Sequence, residues 1–242
     1  MSAQSVEPLS EPLPAFEEDA SAALQPPPFM SAVLAENSIA GEQLRVLASR
    51  VRAVSRERRL RTIGVVSATP GEGKTTVSVG LARTLALGGP ESVLLVEADL
   101  RRPGLDKTLG FSPPSIGVLQ HLEGARAPLV TRKLAGGGGC WLLSAGKGSL
   151  RKPEALASPR MIALLEAATR AFGYVVLDCP PLMTVADTVI LQDRIDGFVL
   201  VVRSRHAPRE AVLRAASLLK PGAVLGTVFN AQRQIIKPRY YG

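Results

Sequence analysis

The chain has 242 residues, 46% hydrophobic and 21% charged, with a formal net charge of +8. That length supports one large α/β domain with a substantial core, while its longest apolar runs, "GFVLVV" and "YVVL", fall far short of the roughly 20 residues needed to span a bilayer. Cys140 and Cys179 sit in apolar, strand-like runs, which suits reduced core residues better than a disulfide framework or a metal site.

The N-terminus is acidic and proline-rich rather than basic then apolar, so the expectation is a cytoplasmic protein without a signal peptide. Residues 1–44 hold seven acids and no Lys or Arg, which leaves the remainder at +15. A basic body of this kind suits nucleotide phosphates, a solvated surface, or an acidic partner such as anionic lipid or its own acidic tail. Nucleic acid is not expected as a partner. Only 4% of residues are aromatic, and no helix-turn-helix or zinc spacing is present.

Six prolines fall in the first thirty positions, and residues 1–36 are read as a disordered acidic, Pro-rich tail. From Ile39 to about Glu57, Leu44, Leu47, Val51 and Val54 form an apolar stripe at helical spacing. Arg50, Arg52, Arg56, Arg58, Arg59 and Arg61 crowd the rest of that segment, as a solvated face or as a contact for a neighbouring subunit or membrane surface.

Strands are then expected at 62–67, 92–98, 140–144, 174–179, 197–203 and 223–229. Helices are expected at 74–88, 159–171, about 184–194 and 207–219, with a short one near 116–122 in a glycine-rich irregular stretch. Ser158 and Pro159 are the N-cap and first-turn residues of one of these helices. Strands alternating with helices imply an α/β, doubly wound, mostly parallel sheet with helices on both faces, spanning 37–230. Strands buried on both faces read as continuous apolar runs, as "SVLLVE", "YVVLD" and "GFVLVV" do. Ligands of such sheets bind beyond the carboxyl ends of the strands, where Ser67, Glu97, Asp178 and Asn230 all lie.

The stretch "SATPGEGKTT", Ser67 to Thr76, follows an apolar strand and opens an apolar-periodic helix. That is the setting of a phosphate-binding loop, although Ala68 stands where the strict pattern has Gly. Gly71 and Gly73, with Pro70 and Glu72 between and before them, free backbone N–H groups for phosphates. Lys74 would reach the β and γ phosphates of ATP, Thr75 would place its hydroxyl on Mg²⁺, and Thr76 would support the helix start. Carboxylates at the ends of buried strands need a cation or hydrogen bonds. Glu97 and Asp99 in "VLLVEADLRRP" and Asp178 in "YVVLDCPP" meet that description, and Mg²⁺ would satisfy them. A salt bridge from Glu97 or Asp99 to Arg101 or Arg102 is the plainer alternative.

Taken in order, "SATPGEGKTT", "VLLVEADLRRP" and "YVVLDCPP" resemble the bacterial tyrosine kinase family of capsule and exopolysaccharide systems, over about residues 40–242. The resemblance implies a P-loop ATPase-type domain that phosphorylates tyrosines in its own C-terminal tail, often between subunits of a ring. It implies a membrane-spanning partner that controls polysaccharide chain length and export, and hence a location at the inner face of the membrane. By position it assigns Lys74, Glu97, Asp99 and Asp178 to catalysis, Thr75, Glu97, Asp99 and Asp178 to Mg²⁺, and Arg101 and Asn230 to the nucleotide, Asn230 on the adenine side. Asp187 matches a further acidic position near the pocket.

Two positions depart from the family pattern. Glu97 stands where the family has Asp, one methylene longer, so altered activity is expected. The family's subunit-contact motif E-x-x-R-x-x-R is met by Glu42 and Arg45, but Ala48 replaces its last Arg, so the homo-oligomer is expected to be weakened. Of three tyrosines, Tyr174 enters a buried strand, leaving Tyr240 and Tyr241 in the flexible tail 231–242 as the expected acceptors. Two other readings share the fold. One is a non-catalytic ATP-binding regulator. The other is a partitioning or septum-positioning ATPase, whose loop resembles K-G-G-x-G-K-T and is disfavoured by Thr69 at the first Lys.

Overall fold

A computed structural model describes residues 13–19, 26–35, 37–136, 138–149 and 153–232. The first half of the chain runs β1 (Phe16–Glu18), α1 (Pro28–Leu34), α2 (Ile39–Arg58), β2 (Thr62–Ser67), α3 (Lys74–Leu87), β3 (Val93–Glu97), α4 (Leu105–Leu109) and α5 (Val118–Leu122). The second half adds β4 (Leu129–Lys133), β5 (Cys140–Leu143), α6 (Pro159–Ala171), β6 (Tyr174–Asp178), α7 (Asp187–Leu191), β7 (Gly197–Arg203), α8 (Arg209–Ser217) and β8 (Val224–Asn230). The strands form one sheet in the order β1-β4-β5-β3-β6-β2-β7-β8, parallel at every pairing except β4 with β5.

The apolar runs are continuous because the sheet is covered on both faces. Val66, Leu94, Val96, Val175, Leu177, Phe198 and Leu200 point into one apolar layer with α5, α6 and α8. Their neighbours Ile63, Val65, Val93, Leu95, Val176, Val199 and Val201 point into the other, with α1, α2 and α3. Each such side chain contributes about 1.5–3 kcal/mol on burial, so neither face of these strands tolerates a polar residue. The buried polar exceptions are Thr62, where β2 begins, and Ser67, Glu97 and Asp178, where their strands end.

Local signals set the helix limits. Ser158 accepts the Met161 amide ahead of α6, and Ser38 accepts the Gly41 amide ahead of α2. Tyr174 is buried, as expected, and so are both free cysteines. Burial pushes the Cys140 thiol up to about 12, so it stays protonated and unreactive.

Part of the expected disordered tail is folded. Phe16 pairs with Leu129 in the sheet and meets Phe172 edge-on at 5.6 Å, while Met30 and Leu34 of α1 are buried beneath α2 and α3. The segments are only three and seven residues long, too short to show a period, and Pro28 starts the helix rather than breaking it. The glycine-rich stretch also yields α4 and β4, neither of which was expected. In α2, Ala48 lies in the buried stripe with Leu44 and Val51, so an arginine at that position would point into the core.

Candidate nucleotide and phosphotransfer site

The loop leaving β2 is held in one shape by residues from the ends of two other strands, β7 and β8. Gly71 and Gly73 have φ of +79° and +94°, which side-chain-bearing residues rarely adopt. A Cβ on Gly73 would lie 2.0 Å from Asn230 Nδ2, so the close approach of β8 also demands glycine there. Asn230 Nδ2 donates to the Glu72 carbonyl at 2.9 Å. Glu72 itself is fully buried: its carboxylate accepts the Thr69 amide and hydroxyl at 2.7 and 2.9 Å and the Arg203 amide at 3.1 Å. His206 Nε2 lies 2.8 Å from the Pro70 carbonyl oxygen, and Arg203 Nη1 donates to the Gly71 carbonyl at 3.1 Å. With its outer carbonyls held this way, the loop feeds directly into the N-terminus of α3, where free amides and the helix dipole favour an anion.

The acidic residues stand on neighbouring strands. Glu97 and Asp178 are register partners on β3 and β6, and Lys74, Asp99 and Asp178 lie within electrostatic reach of one another. Asp178 accepts from Ser78 Oγ at 3.0 Å and from the Thr75 hydroxyl. Burial outweighs these bonds and the attraction of Lys74, and pushes its carboxyl up to about 6. Asp99 is half-buried, accepts the Arg102 amide at 3.1 Å, and is likewise shifted upward by burial, against that bond and the Lys74 charge.

Glu97 takes a different position. Its Oε2 accepts the Gly104 and Leu105 amides at 2.6 and 2.8 Å, at the start of α4, and its Oε1 accepts the Asp99 amide at 3.2 Å. Burial and then the Asp178 charge hold its carboxyl well above the usual range, opposed by the two α4 amides. The extra methylene is what lets the carboxylate reach past its own strand end to the next helix. Arg101, expected beside the nucleotide, forms an ion pair with the buried Asp187.

Most of the expected residues are brought together: Pro70 to Thr76 form the loop and helix start, with Asp178 and Asp99 facing Lys74. The four-residue Mg²⁺ set is not assembled. Among the described residues no group of three or more His, Cys, Asp or Glu is arranged to hold a metal ion, and Glu97 is drawn to α4. What remains fits Mg²⁺ with a nucleotide, because that ion takes one or two protein oxygens and completes its shell with phosphates and water. Thr75 and Asp178, already hydrogen-bonded, supply such a pair. Tyr240 and Tyr241 lie outside the described residues. Sequence reasoning missed Ser78, which falls four residues after Lys74 on the same helix face, and the Arg203–His206 clamp, which carries no local signal.

No protein-family model matches the chain. Among curated proteins it is 30% identical over 207 residues to the tyrosine-protein kinase YwqD of Bacillus subtilis, covering 85% of this chain and 86% of that one. The chain belongs to the bacterial tyrosine kinase family. It is also 34% identical over 175 residues to the succinoglycan biosynthesis transport protein ExoP of Rhizobium meliloti, of which it spans only 22%. The kinase domain of the Escherichia coli tyrosine kinase ETK superposes with a TM-score of 0.78 at 26% identity, over 90% of this chain and 86% of that one. The septum site-determining protein MinD of Pyrococcus horikoshii, in complex with Mg-ADP, gives 0.57 at 21% identity over 70% and 69%, a likeness of fold alone. As a family member the chain carries the P-loop α/β fold, and among its described residues no helix is long and apolar enough to cross a membrane.

Proposed function

We propose that this protein is an ATP-dependent protein-tyrosine kinase that phosphorylates Tyr240 and Tyr241 at its own C-terminal end. The observation that carries the reading is the convergence of a braced phosphate loop, Lys74 and two carboxyls of raised proton affinity at adjoining strand ends. The α3 amides and Lys74 bind and orient the phosphates of ATP. Thr75 and Asp178 hold Mg²⁺, which when bound neutralises charge on those phosphates. Asp99, beside Lys74 and shifted toward protonation, takes the proton of the tyrosine hydroxyl as its oxygen bonds to the γ phosphorus and the bond to ADP breaks. Glu97 holds the turn that carries Asp99. Kinship with ExoP supports a place in polysaccharide export, at the inner face of the membrane beside a membrane-spanning chain-length regulator.

The test is mass spectrometry after incubation with ATP, Mg²⁺ and the cytosolic segment of the membrane partner. Phosphotyrosine is expected in wild type, absent from Lys74→Met and from the Tyr240→Phe, Tyr241→Phe double variant, with Tyr174 unmodified. Undiminished phosphotyrosine in the double variant overturns the acceptor assignment. The engagement of Glu97 at α4 supports one other reading, a non-catalytic regulator that binds ATP. Nucleotide binding with no phosphotyrosine under any of these conditions decides for it.

A further inference from the structure

A second basic cleft lies at the far end of α3. Lys74 opens that helix and Leu87 closes it, so at 1.5 Å per residue the cleft sits roughly 15–20 Å from the phosphate loop. Leu34 of α1, Leu44, Arg45 and Arg52 of α2, and Arg83 and Leu87 of α3 line about 390 Å³. Arg52 reaches across Gly88, where a Cβ would come within 2.5 Å of both its terminal nitrogens, and Nη2 donates to the Thr84 and Leu85 carbonyls at 3.3 and 2.5 Å. Its Nε is buried with no hydrogen-bond partner. Arg83 donates to the carbonyls of Leu34 and Gly136 at 2.9 and 3.1 Å.

Both inner guanidiniums are therefore anchored by neutral carbonyls, and among the described residues neither is joined to a carboxylate. The opposing charges are Glu42, paired with Arg45 at the exposed rim, the carbonyl end of α3, and Glu91 beside Gly89. A buried guanidinium nitrogen without an acceptor is unfavourable, and a cleft with three guanidiniums retains positive charge. The leucines give the same space an apolar wall.

We propose that this cleft binds a phosphate monoester carried on an apolar ring, an aryl phosphate of the phosphotyrosine kind, separately from the nucleotide site. Guanidinium forks match a tetrahedral oxyanion better than a point charge does, and the volume falls within the usual range for small ligands. The source is either a free aryl phosphate or a phosphorylated tyrosine side chain of a protein segment, and the cleft would recognise the same chemistry in both. The inference holds whether or not the chain is itself a kinase, since no residue of the phosphate loop takes part.

Calorimetric titration of the full chain with phenyl phosphate, with and without saturating Mg-ADP, tests it. Binding of one equivalent is expected, unchanged by Mg-ADP, absent for phenol, and at least tenfold weaker in Arg83→Gln and in Arg45→Glu. The second variant lies at the exposed rim and leaves the thermal midpoint in place. A phosphotyrosyl peptide that binds more tightly than phenyl phosphate assigns the site to a protein segment; equal affinity assigns it to a free ligand. Competition by Mg-ADP, equal binding of phenol, or full affinity in both variants overturns the proposal.

Discussion

Arg101 and Asp187, 86 positions apart, meet in a two-pronged ion pair, Nε to Oδ2 at 2.8 Å and Nη2 to Oδ1 at 3.2 Å. The pair ties the turn after β3 to the start of α7, and Asp187 is only 1% exposed while Arg101 is 34% exposed. Arg101→Ala strands a buried carboxylate and is expected to destabilise the chain by about 2–3 kcal/mol, below the usual figure for a fully buried pair because water screens the arginine. Urea unfolding measures this. The double variant Arg101→Met, Asp187→Leu should recover most of the loss, and strictly additive losses would show that the two side chains do not act as a pair.

Glu72 braces the phosphate loop from behind. Its three bonds reach Thr69 and Arg203, not the space a phosphate would enter. Glu72→Ala is therefore expected to weaken ADP binding roughly tenfold, about 1.4 kcal/mol, through a looser loop. Glu72→Gln keeps an acceptor for Thr69 but turns a donor toward the Arg203 amide, so it should fall between. Wild-type affinity in Glu72→Ala would mean that the glycines and Asn230 hold the loop unaided.

Asp178 gives the chain a pH dependence. Its carboxyl stays protonated in the folded state up to about 6, against 3.8 when unperturbed. Between those values the folded chain binds the extra proton, so stability falls as pH rises through that window. Asp178→Asn removes the burdened charge while keeping an acceptor for Ser78. Without Mg²⁺ it should be more stable than wild type at pH 7, by roughly 1–3 kcal/mol from 1.36 kcal/mol per unit, with the gap closing below about pH 4. Thermal melts at pH 4 and 7 check this, and a gap that widens toward low pH would contradict it.

Much of this arrangement is legible in the sequence because it is local. Each central strand is a run of apolar residues ending in a polar one, and the loop and its acids are read from the strand ends without any tertiary knowledge. Ser158 and Pro159 mark their helix for the same reason. What escapes is what distant parts of the chain decide. Phe16 becomes a strand residue only because Leu129 and Phe172 lie beside it, and Met30 is buried only because α2 and α3 leave room. The ring of side chains behind the loop, Arg203, His206 and Asn230, comes from over 130 positions away. Arg52 shows the limit most plainly. Its place in a run of arginines suggests a solvated face, while the glycine that admits it, Gly88, lies at the end of another helix.

The length of the Glu97 side chain provides the sharpest test of the site. Its Oε2 holds two consecutive amides at the start of α4 and its Oε1 the Asp99 amide, so one carboxylate fixes both ends of the turn between β3 and α4. An aspartate there is one methylene shorter and cannot span both ends. Glu97→Asp is expected to lose the α4 bonds and about 1–3 kcal/mol of stability, the usual cost of leaving buried polar groups without their partners. Glu97→Gln presents an oxygen of the same reach to Gly104 and Leu105. Burial holds the Glu97 carboxyl well above its usual range, so removing its charge costs less than it would at an exposed carboxylate. It should be the milder change at neutral pH, losing mainly the Asp99 contact. Urea unfolding of both variants at pH 7 and hydrogen exchange at the Gly104 and Leu105 amides separate the two effects, with fast exchange expected only in Glu97→Asp. If Glu97→Asp keeps both amides protected and unfolds like wild type, the turn is held by other contacts and the longer side chain has no structural role here.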